Sequence, residues 1–106
     1  MKTPYFKENW SDENNNPAGG TASGRGFTIS WQNGPLGRDE NRKEPNGAFV
    51  ENILDAVIQR IEFYQASQFA CSENELALLH LKIAAKQLDD RTKDRELRKV
   101  EGTHKE

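Results

Sequence analysis

The longest helical pattern in the chain is SENELALLHLKIAAKQLDDRTKDRELRKVE, residues 72–101. Ser72 and Glu75 fit a capping box at its start, and Gly102 is the expected stop. Apolar residues recur at helical spacing on two adjoining faces, the first with Leu76, Leu79, Ile83 and Ala84 and the second with Leu78, Leu81, Ala85 and Leu88. An apolar arc this wide needs more than one partner helix, which predicts self-association.

A shorter helical pattern precedes it. Its apolar residues are Val50, Ile53, Leu54, Val57, Ile58, Ile61 and Tyr64. This helix is expected to begin near Asn46, whose side chain can cap it. Residues 65–71 are then a short connection, so the two helices are predicted to pack as an antiparallel hairpin.

One strand is predicted upstream. Residues 27–32, FTISWQ, alternate apolar and polar side chains with period two, and Asn33-Gly34-Pro35 makes a turn. A lone strand must pair with another segment or another subunit. Residues 1–26 are interpreted as a polar, flexible leader, and residues 36–45 as a charged loop. The predicted fold is α+β: a short N-terminal antiparallel β element and the hairpin, forming one domain over residues 27–106.

Composition narrows the function classes. The 15 basic and 17 acidic residues are interspersed and give a net charge of −2, so the basic field of polymeric nucleic-acid binders is absent. No apolar run is long enough to cross a membrane, and the chain starts without an apolar leader, so cytoplasmic residence is expected. The single cysteine, Cys71, cannot form an intramolecular disulfide.

Three arginines suggest a phosphate-binding surface. Arg91, Arg95 and Arg98 fall at i, i+4 and i+7, on one face of the second helix. Arginine binds phosphate oxygens bidentately and keeps its charge, which suits a ligand with several phosphates. The alternative is a solvated helix end, because basic residues favour a helix C-terminus and Asp94–Arg98 is an ordinary i, i+4 pair.

Aromatic and amide side chains lie near the connection between the helices. Phe63, Tyr64 and Phe69 can stack on a nucleobase, although Phe63 and Tyr64 also fit the hairpin core. Phe69 lies outside both helical patterns and is harder to assign to a core. Asn74 can donate to and accept from a base edge, or be an ordinary first-turn residue.

Few residues in the sequence are suited to catalysis. His80 is interpreted as a core histidine and Cys71 as a small buried apolar residue. Asp89 and Asp90 point about 100° apart on a helix, which is poor geometry for a shared metal ion. No acid–base pair, nucleophile or metal cluster converges, so we predict a binder that is not an enzyme, with no cofactor and no metal.

Scattered short motifs resemble the small bacteriophage proteins of the type-one Thoeris anti-defence family. The resemblance covers residues 27–104, and its motifs are WQNGP (31–35), NGAFVE (46–51), RIEFYQ (60–65), Phe69, Glu73-Asn74, His80-Leu81, Arg91-Thr92, Arg95-Glu96 and VEGTH (100–104).

The resemblance implies a sponge that binds cyclic nucleotide messengers of bacterial immunity without cleaving them. Its ligands would be cyclic ADP-ribose isomers made by TIR-domain proteins, and also the cyclic di- and trinucleotides of CBASS signalling. It further implies a homo-oligomer, a dimer or a hexamer, in the cytoplasm of the infected host, with pockets between subunits. The positions that would contact the ligand are Phe69, Asn74, Arg91 and Arg95; further candidates are Trp31, Tyr64 and Arg98.

The distance between these positions along a helix limits how they can contact a ligand. Arg91 and Arg95 follow Asn74 by 17 and 21 residues, which is roughly 25–32 Å along a helix. One chain cannot bring both groups onto one small ligand, so either two subunits contribute opposite ends or there are two sites. A different class of function stays open, a structural or regulatory phage protein that binds another protein through its hairpin.

Overall fold

The computed structural model describes all 106 residues. The elements in chain order are β1 (Tyr5–Ser11), β2 (Pro17–Gly24), β3 (Phe27–Trp31), a 3-10 turn (Asp39–Asn41), α1 (Val50–Gln65) and α2 (Ser72–Leu97). The fold is α+β, as predicted. The chain divides into two compact units. We call Met1–Phe49 with Lys99–Glu106 the β unit, and Val50–Arg98 the hairpin unit.

The β unit contains a three-stranded antiparallel sheet in the order β1-β2-β3. The strand predicted at residues 27–32 is confirmed as β3, and its partner is β2 of the same chain. Tyr5 lies opposite Gly24, which lies opposite Phe27, and the rings of Tyr5 and Phe27 are 5.9 Å apart between centroids. Since Gly24 has no side chain, the two rings meet across it.

Residues 5–24 form two strands where the sequence predicted a polar leader. The turn between them is closed by Asp12, whose Oδ1 accepts the backbone N–H groups of Asn14 and Asn16, each at 2.9 Å. Asn15 takes the left-handed conformation that such a turn requires, with φ of 64°. Strand pairing here depends on backbone hydrogen bonds and turn chemistry, which hydrophobic alternation does not detect.

β2 contains glycine where a side chain of β1 lies close to its backbone. A Cβ on Gly19 would lie 2.9 Å from the Trp10 ring, so the absence of a side chain lets the indole lie over the strand. β2 otherwise consists of small or polar residues and Pro17, which explains why its sequence does not resemble a strand.

The first helix begins at Val50, so the start predicted near Asn46 is wrong. The Asn46 amide instead accepts from the backbone N–H of Asn33 at 2.8 Å and donates to the Asn33 carbonyl at 3.0 Å. Ala48 extends the sheet by a parallel bridge to Trp31. Because Asn46 is bonded to Asn33 across the chain, its side chain does not cap the helix.

The second helix ends at Leu97, five residues before the predicted stop at Gly102. Lys99 takes the left-handed conformation that follows the helix, with φ of 59°. Gly102 serves another contact: its carbonyl accepts from the backbone N–H of Gly37 at 2.7 Å. Its φ is 79°, and a Cβ there would overlap the Gly37 carbonyl oxygen.

The C-terminal segment belongs to the β unit. The Arg42 guanidinium donates to a Glu101 carboxylate oxygen at 2.7 Å, and Arg38 donates to the Glu101 backbone carbonyl at 3.0 Å. The His104 ring lies 3.3 Å from the Asn16 amide nitrogen. Residues 99–106 are therefore attached at several points to residues near the start and middle of the chain.

The predicted pair of helices is confirmed. Residues 66–71 connect α1 and α2, the helices pack against each other, and Lys82 forms an ion pair with Glu62 at 3.4 Å. The only buried large apolar side chains in the molecule are Ile58 in this unit and Leu36 in the β unit. Neither helix combines the length and the apolar character that crossing a membrane requires.

Candidate functional site

The connection between the helices is an ordered loop that exposes Phe69. The Ser67 hydroxyl donates to the Tyr64 carbonyl at 2.6 Å and accepts from the backbone N–H of Phe69 at 3.1 Å. The Ala70 N–H donates to the Ser67 carbonyl at 3.2 Å. Within this network the Phe69 ring is 69% exposed, which is more than core packing allows and which leaves its faces accessible to a planar ligand.

The predicted capping box at the start of α2 is wrong. Cys71 is the N-cap residue, in an extended conformation, and the Glu75 N–H donates to the Cys71 carbonyl at 3.2 Å. Ser72 is already helical, so its hydroxyl lies near Glu73 instead of receiving the N–H of Glu75.

A side chain from α1 forms the hydrogen bonds to the N-cap residue of α2. The Gln65 amide oxygen accepts from the Cys71 N–H at 2.9 Å, and its amide nitrogen donates to the Cys71 carbonyl at 3.1 Å. We call this pair of hydrogen bonds the Gln65–Cys71 bridge. It spans the whole connection, and sequence reasoning missed it, because the only signal is an amide residue six positions before the N-cap.

Asn74 follows in the first turn of α2. Its side chain is half-buried, and its amide makes no hydrogen bond within the chain. An amide in that state retains a donor and an acceptor for a ligand. Phe69 and Asn74 are both near the loop end of the hairpin, since five residues separate them.

The three arginines at the other end of α2 differ from one another. Arg91 is exposed and forms no ion pair or hydrogen bond through its guanidinium. Arg95 is half-buried. Arg98 is the helix C-cap, and its Nε donates to an Asp94 carboxylate oxygen at 3.0 Å, as the alternative interpretation expected for this pair. Arg91 is therefore the guanidinium most accessible to an anion.

Tyr64 and Phe63 are exposed, so their assignment to the hairpin core is wrong for this chain by itself. The Arg60 guanidinium carbon lies 4.8 Å from the Tyr64 ring centroid and 5.0 Å from that of Phe63. Arg60 also donates from Nε to the Tyr64 hydroxyl at 3.2 Å. A cation thus covers a face of both rings, which leaves Phe69 as the unoccupied aromatic surface of the loop end.

Trp31 is half-buried and ends β3, in the β unit. Its backbone forms the bridge to Ala48, and its ring lies on the same face of the sheet as Phe27 and Ile29. The other candidate residues all belong to the hairpin unit.

The residues assigned to a core by the sequence are exposed. His80 is exposed on α2, which buries none of its residues fully, and Cys71 is exposed at the N-cap. Asp89 and Asp90 pair with Lys93 at 2.9 Å and Lys86 at 2.8 Å, and hydrogen bonding to Asp89 raises the pKa of Lys93. No group of three or more His, Cys, Asp and Glu side chains is arranged to hold a metal ion.

One uninterrupted helix carries the two groups of candidate residues. Asn74 is its third residue, and Arg91 follows by 17 residues, which is about 26 Å at the helical rise. The structure thus brings Phe69 and Asn74 together near one end, and Arg91 with Arg95 near the other. It does not bring the two groups together within a chain.

No protein-family model matches the chain. It is similar to "Thoeris anti-defense 1" of Bacillus phage SBSphiJ7, with 38% identity over 82 residues. The matched region is 77% of this chain and 55% of the relative, so the chain spans about half the length of the protein it matches. On this similarity, the chain belongs to the Thoeris anti-defence family.

Proposed function

We propose that the chain is a non-catalytic sponge that protects a bacteriophage from Thoeris defence by sequestering a cyclic nucleotide messenger in the host cytoplasm. The observation that carries the proposal is the continuous helix α2. An exposed aromatic lies in the loop just before it, an unbonded amide lies in its first turn, and an accessible guanidinium lies near its end. The similarity to a Thoeris anti-defence protein of a Bacillus phage supports the anti-Thoeris part.

The residue types match the chemistry of cyclic ADP-ribose isomers. Such a ligand carries an adenine that can stack on Phe69, edges and hydroxyls that can bond to Asn74, and a pyrophosphate for Arg91 and Arg95. The secondary candidates are Arg98, which donates to Asp94, Tyr64, which accepts from Arg60, and Trp31, whose backbone forms the bridge to Ala48. Cyclic di- and trinucleotides offer the same base and phosphate groups and form the second ligand class of the proposal.

Self-association completes the proposed pocket. Two groups about 26 Å apart on a straight helix cannot contact one small ligand, whereas helices from two subunits can supply opposite ends. The exposed apolar side chains support such an assembly: they are at least 40% exposed at Val50, Val57, Phe63, Tyr64, Phe69, Leu76, Leu79, Ile83 and Leu97.

The location of the exposed apolar residues supports the same assembly. These exposed apolar side chains lie on the hairpin unit itself, and burying such a surface is what drives subunits to associate. A homo-oligomer, a dimer or a hexamer, is therefore part of the proposal.

The test separates sequestration from catalysis. The purified protein is incubated with a cyclic ADP-ribose isomer, freed of unbound ligand, and denatured by heat. Recovery of chemically intact ligand is expected. A linear product would show an enzyme, and recovery of nothing would contradict binding. Native mass spectrometry with a panel of cyclic ADP-ribose isomers and cyclic di- and trinucleotides gives the subunit count and ligand class.

The second candidate is a structural or regulatory phage protein that binds another protein through its hairpin unit. The observation that favours it is the same exposed apolar surface on α1 and α2. The Arg91→Ala, Arg95→Ala double variant distinguishes the two. Cyclic nucleotide binding disappears in the sponge with little change in oligomer size, whereas contacts with a protein partner through apolar residues persist.

A further inference from the structure

We propose that Gln65 is a positioning residue for ligand binding, which acts through Phe69 by holding the interhelical loop in its binding conformation. The inference rests on the proposed function, because it concerns the same ligand site. It adds a residue that would not touch the ligand itself.

The geometry of the Gln65–Cys71 bridge is the first step. One amide both accepts from the N–H and donates to the carbonyl of a single residue, at 2.9 Å and 3.1 Å. Glutamine is suited to this pair of contacts, because its side chain carries a donor and an acceptor side by side. The bridge joins the last residue of α1 to the N-cap of α2 and so closes the loop at its base.

The position of Phe69 inside that loop is the second step. Phe69 lies between the two residues of the bridge in sequence, and its backbone N–H donates to the Ser67 hydroxyl. Phe69 is 69% exposed, so packing against the rest of the chain covers only a minor part of it. The place at which the loop presents the ring therefore depends on the backbone conformation of the loop, and the Gln65–Cys71 bridge joins the two ends of that loop.

The consequence is energetic. A loop that is disordered before binding must lose conformational freedom when the ligand binds, and this cost lowers the affinity. A loop that is already closed avoids most of that cost. Loss of the bridge should weaken binding without removing any group that contacts the ligand.

The experiment is a double-mutant cycle in the full chain. The dissociation constant for a cyclic ADP-ribose isomer is measured by calorimetry for wild type, Gln65→Ala, Phe69→Ala and the double variant. We expect Gln65→Ala to weaken binding by about three- to tenfold in the wild-type background. In the Phe69→Ala background the same substitution should change binding less than about twofold, because the ring that the bridge positions is gone.

The chain supplies a matched control. Gln68 lies in the same loop, is exposed and makes no side-chain hydrogen bond, so Gln68→Ala should bind as wild type does. Gln65→Glu keeps the acceptor but loses the donor, and should fall between wild type and Gln65→Ala. Helical circular dichroism checks that every variant is folded.

The outcomes are distinguishable. If Gln65→Ala binds as tightly as wild type, or weakens binding equally in both Phe69 backgrounds, the positioning role is overturned while the sponge stands. If Phe69→Ala itself has no effect, the role also fails. If wild type binds no cyclic nucleotide, the proposed function and this inference fail together.

Discussion

In the β unit, polar side chains bond mainly to the backbone of the same unit, as Asp12 does to the turn at residues 14–16 and Asn46 does to Asn33. In the hairpin unit, Phe69 is exposed, and Asn74 and Arg91 have side chains without hydrogen-bond partners. The comparison teaches that these hydrogen bonds of the first unit hold its own turns and segments together, whereas the second unit leaves Asn74 and Arg91, two of the proposed ligand contacts, without a bonded partner.

Two spectroscopic signals follow the units separately. Both tryptophans, Trp10 and Trp31, lie in the β unit, and both α-helices lie in the hairpin unit. Tryptophan fluorescence therefore reports on the β unit, and the helical circular dichroism signal reports on the hairpin unit. A variant that changes the fluorescence but not the circular dichroism, or that changes ligand binding but neither signal, tests whether the two units act separately.

Removal of the arginines at the end of α2 should have the largest effect. Arg91→Ala with Arg95→Ala is expected to weaken cyclic nucleotide binding more than about 100-fold, because each hydrogen bond to a charged group contributes about 1.5–3 kcal/mol. Calorimetry measures the loss, and both spectroscopic signals should stay unchanged. Arg25→Ala, an exposed arginine in the β unit, is the control and should bind normally. Retained binding in the double variant would contradict the assigned site.

A glycine substitution should have the next largest effect, confined to the β unit. Gly102→Ala combines a left-handed φ of 79° with overlap on the Gly37 carbonyl, and is expected to destabilise by about 2–4 kcal/mol. Gly26→Ala is the matched control, since its φ is 82° with open space around it, and should cost about 1 kcal/mol. Denaturant unfolding followed by tryptophan fluorescence measures both. Equal losses would show that the Gly37 contact is unimportant.

Replacement of Phe69 should have the third-largest effect. Phe69→Ala is expected to weaken binding by about 1–3 kcal/mol, the typical cost of losing one base stack, with no loss of helix stability. Phe69→Trp should retain most of the affinity, because it keeps an aromatic face. Phe6→Ala, which removes an even more exposed phenylalanine side chain from β1, controls for general effects. A loss of helical signal in Phe69→Ala would mean that the ring is structural.

The smallest effect concerns pH. Hydrogen bonding from the Asn16 backbone N–H, aided by Asn14 and His104, lowers the pKa of Asp12 below its ordinary 3.8. The native state therefore gains stability from the ionised carboxylate above about pH 4, and loses it as pH falls through the lowered pKa.

An acid titration followed by tryptophan fluorescence measures this effect, and Asp12→Ala should flatten the dependence. Glu13→Ala removes the neighbouring carboxylate, which makes no hydrogen bond, and should leave the titration as it is in wild type. A titration of Asp12→Ala that matches wild type would show that another group is responsible.

The elements that could be predicted from sequence are those whose signal is local. Helical periodicity located α1 and α2, and alternation located β3. β1 and β2 were missed, because β2 has few side chains of strand-forming type and its pairing depends on a turn made by Asp12 and Asn15. The capping error at Ser72 has a related cause: the bridge from Gln65 is a contact between two elements.

The features of the candidate site also differ in whether the sequence could predict them. The arginine spacing on one helix and the exposure of Phe69 outside the helical patterns could both be anticipated. The exposure of His80, Cys71 and Phe63 could not, because apolar patterning indicates which residues seek burial and not whether one chain can provide it. Their exposure in a single chain agrees with the proposed assembly.

The return of residues 99–106 to the β unit has a practical consequence for genetic mapping. Because the hairpin unit is inserted within the β unit, a nonsense mutation after Arg98 would remove the Glu101 and Gly102 contacts with Arg42 and Gly37. Such a truncation would remove part of the β unit, whose other residues precede the hairpin unit, while retaining every candidate ligand contact.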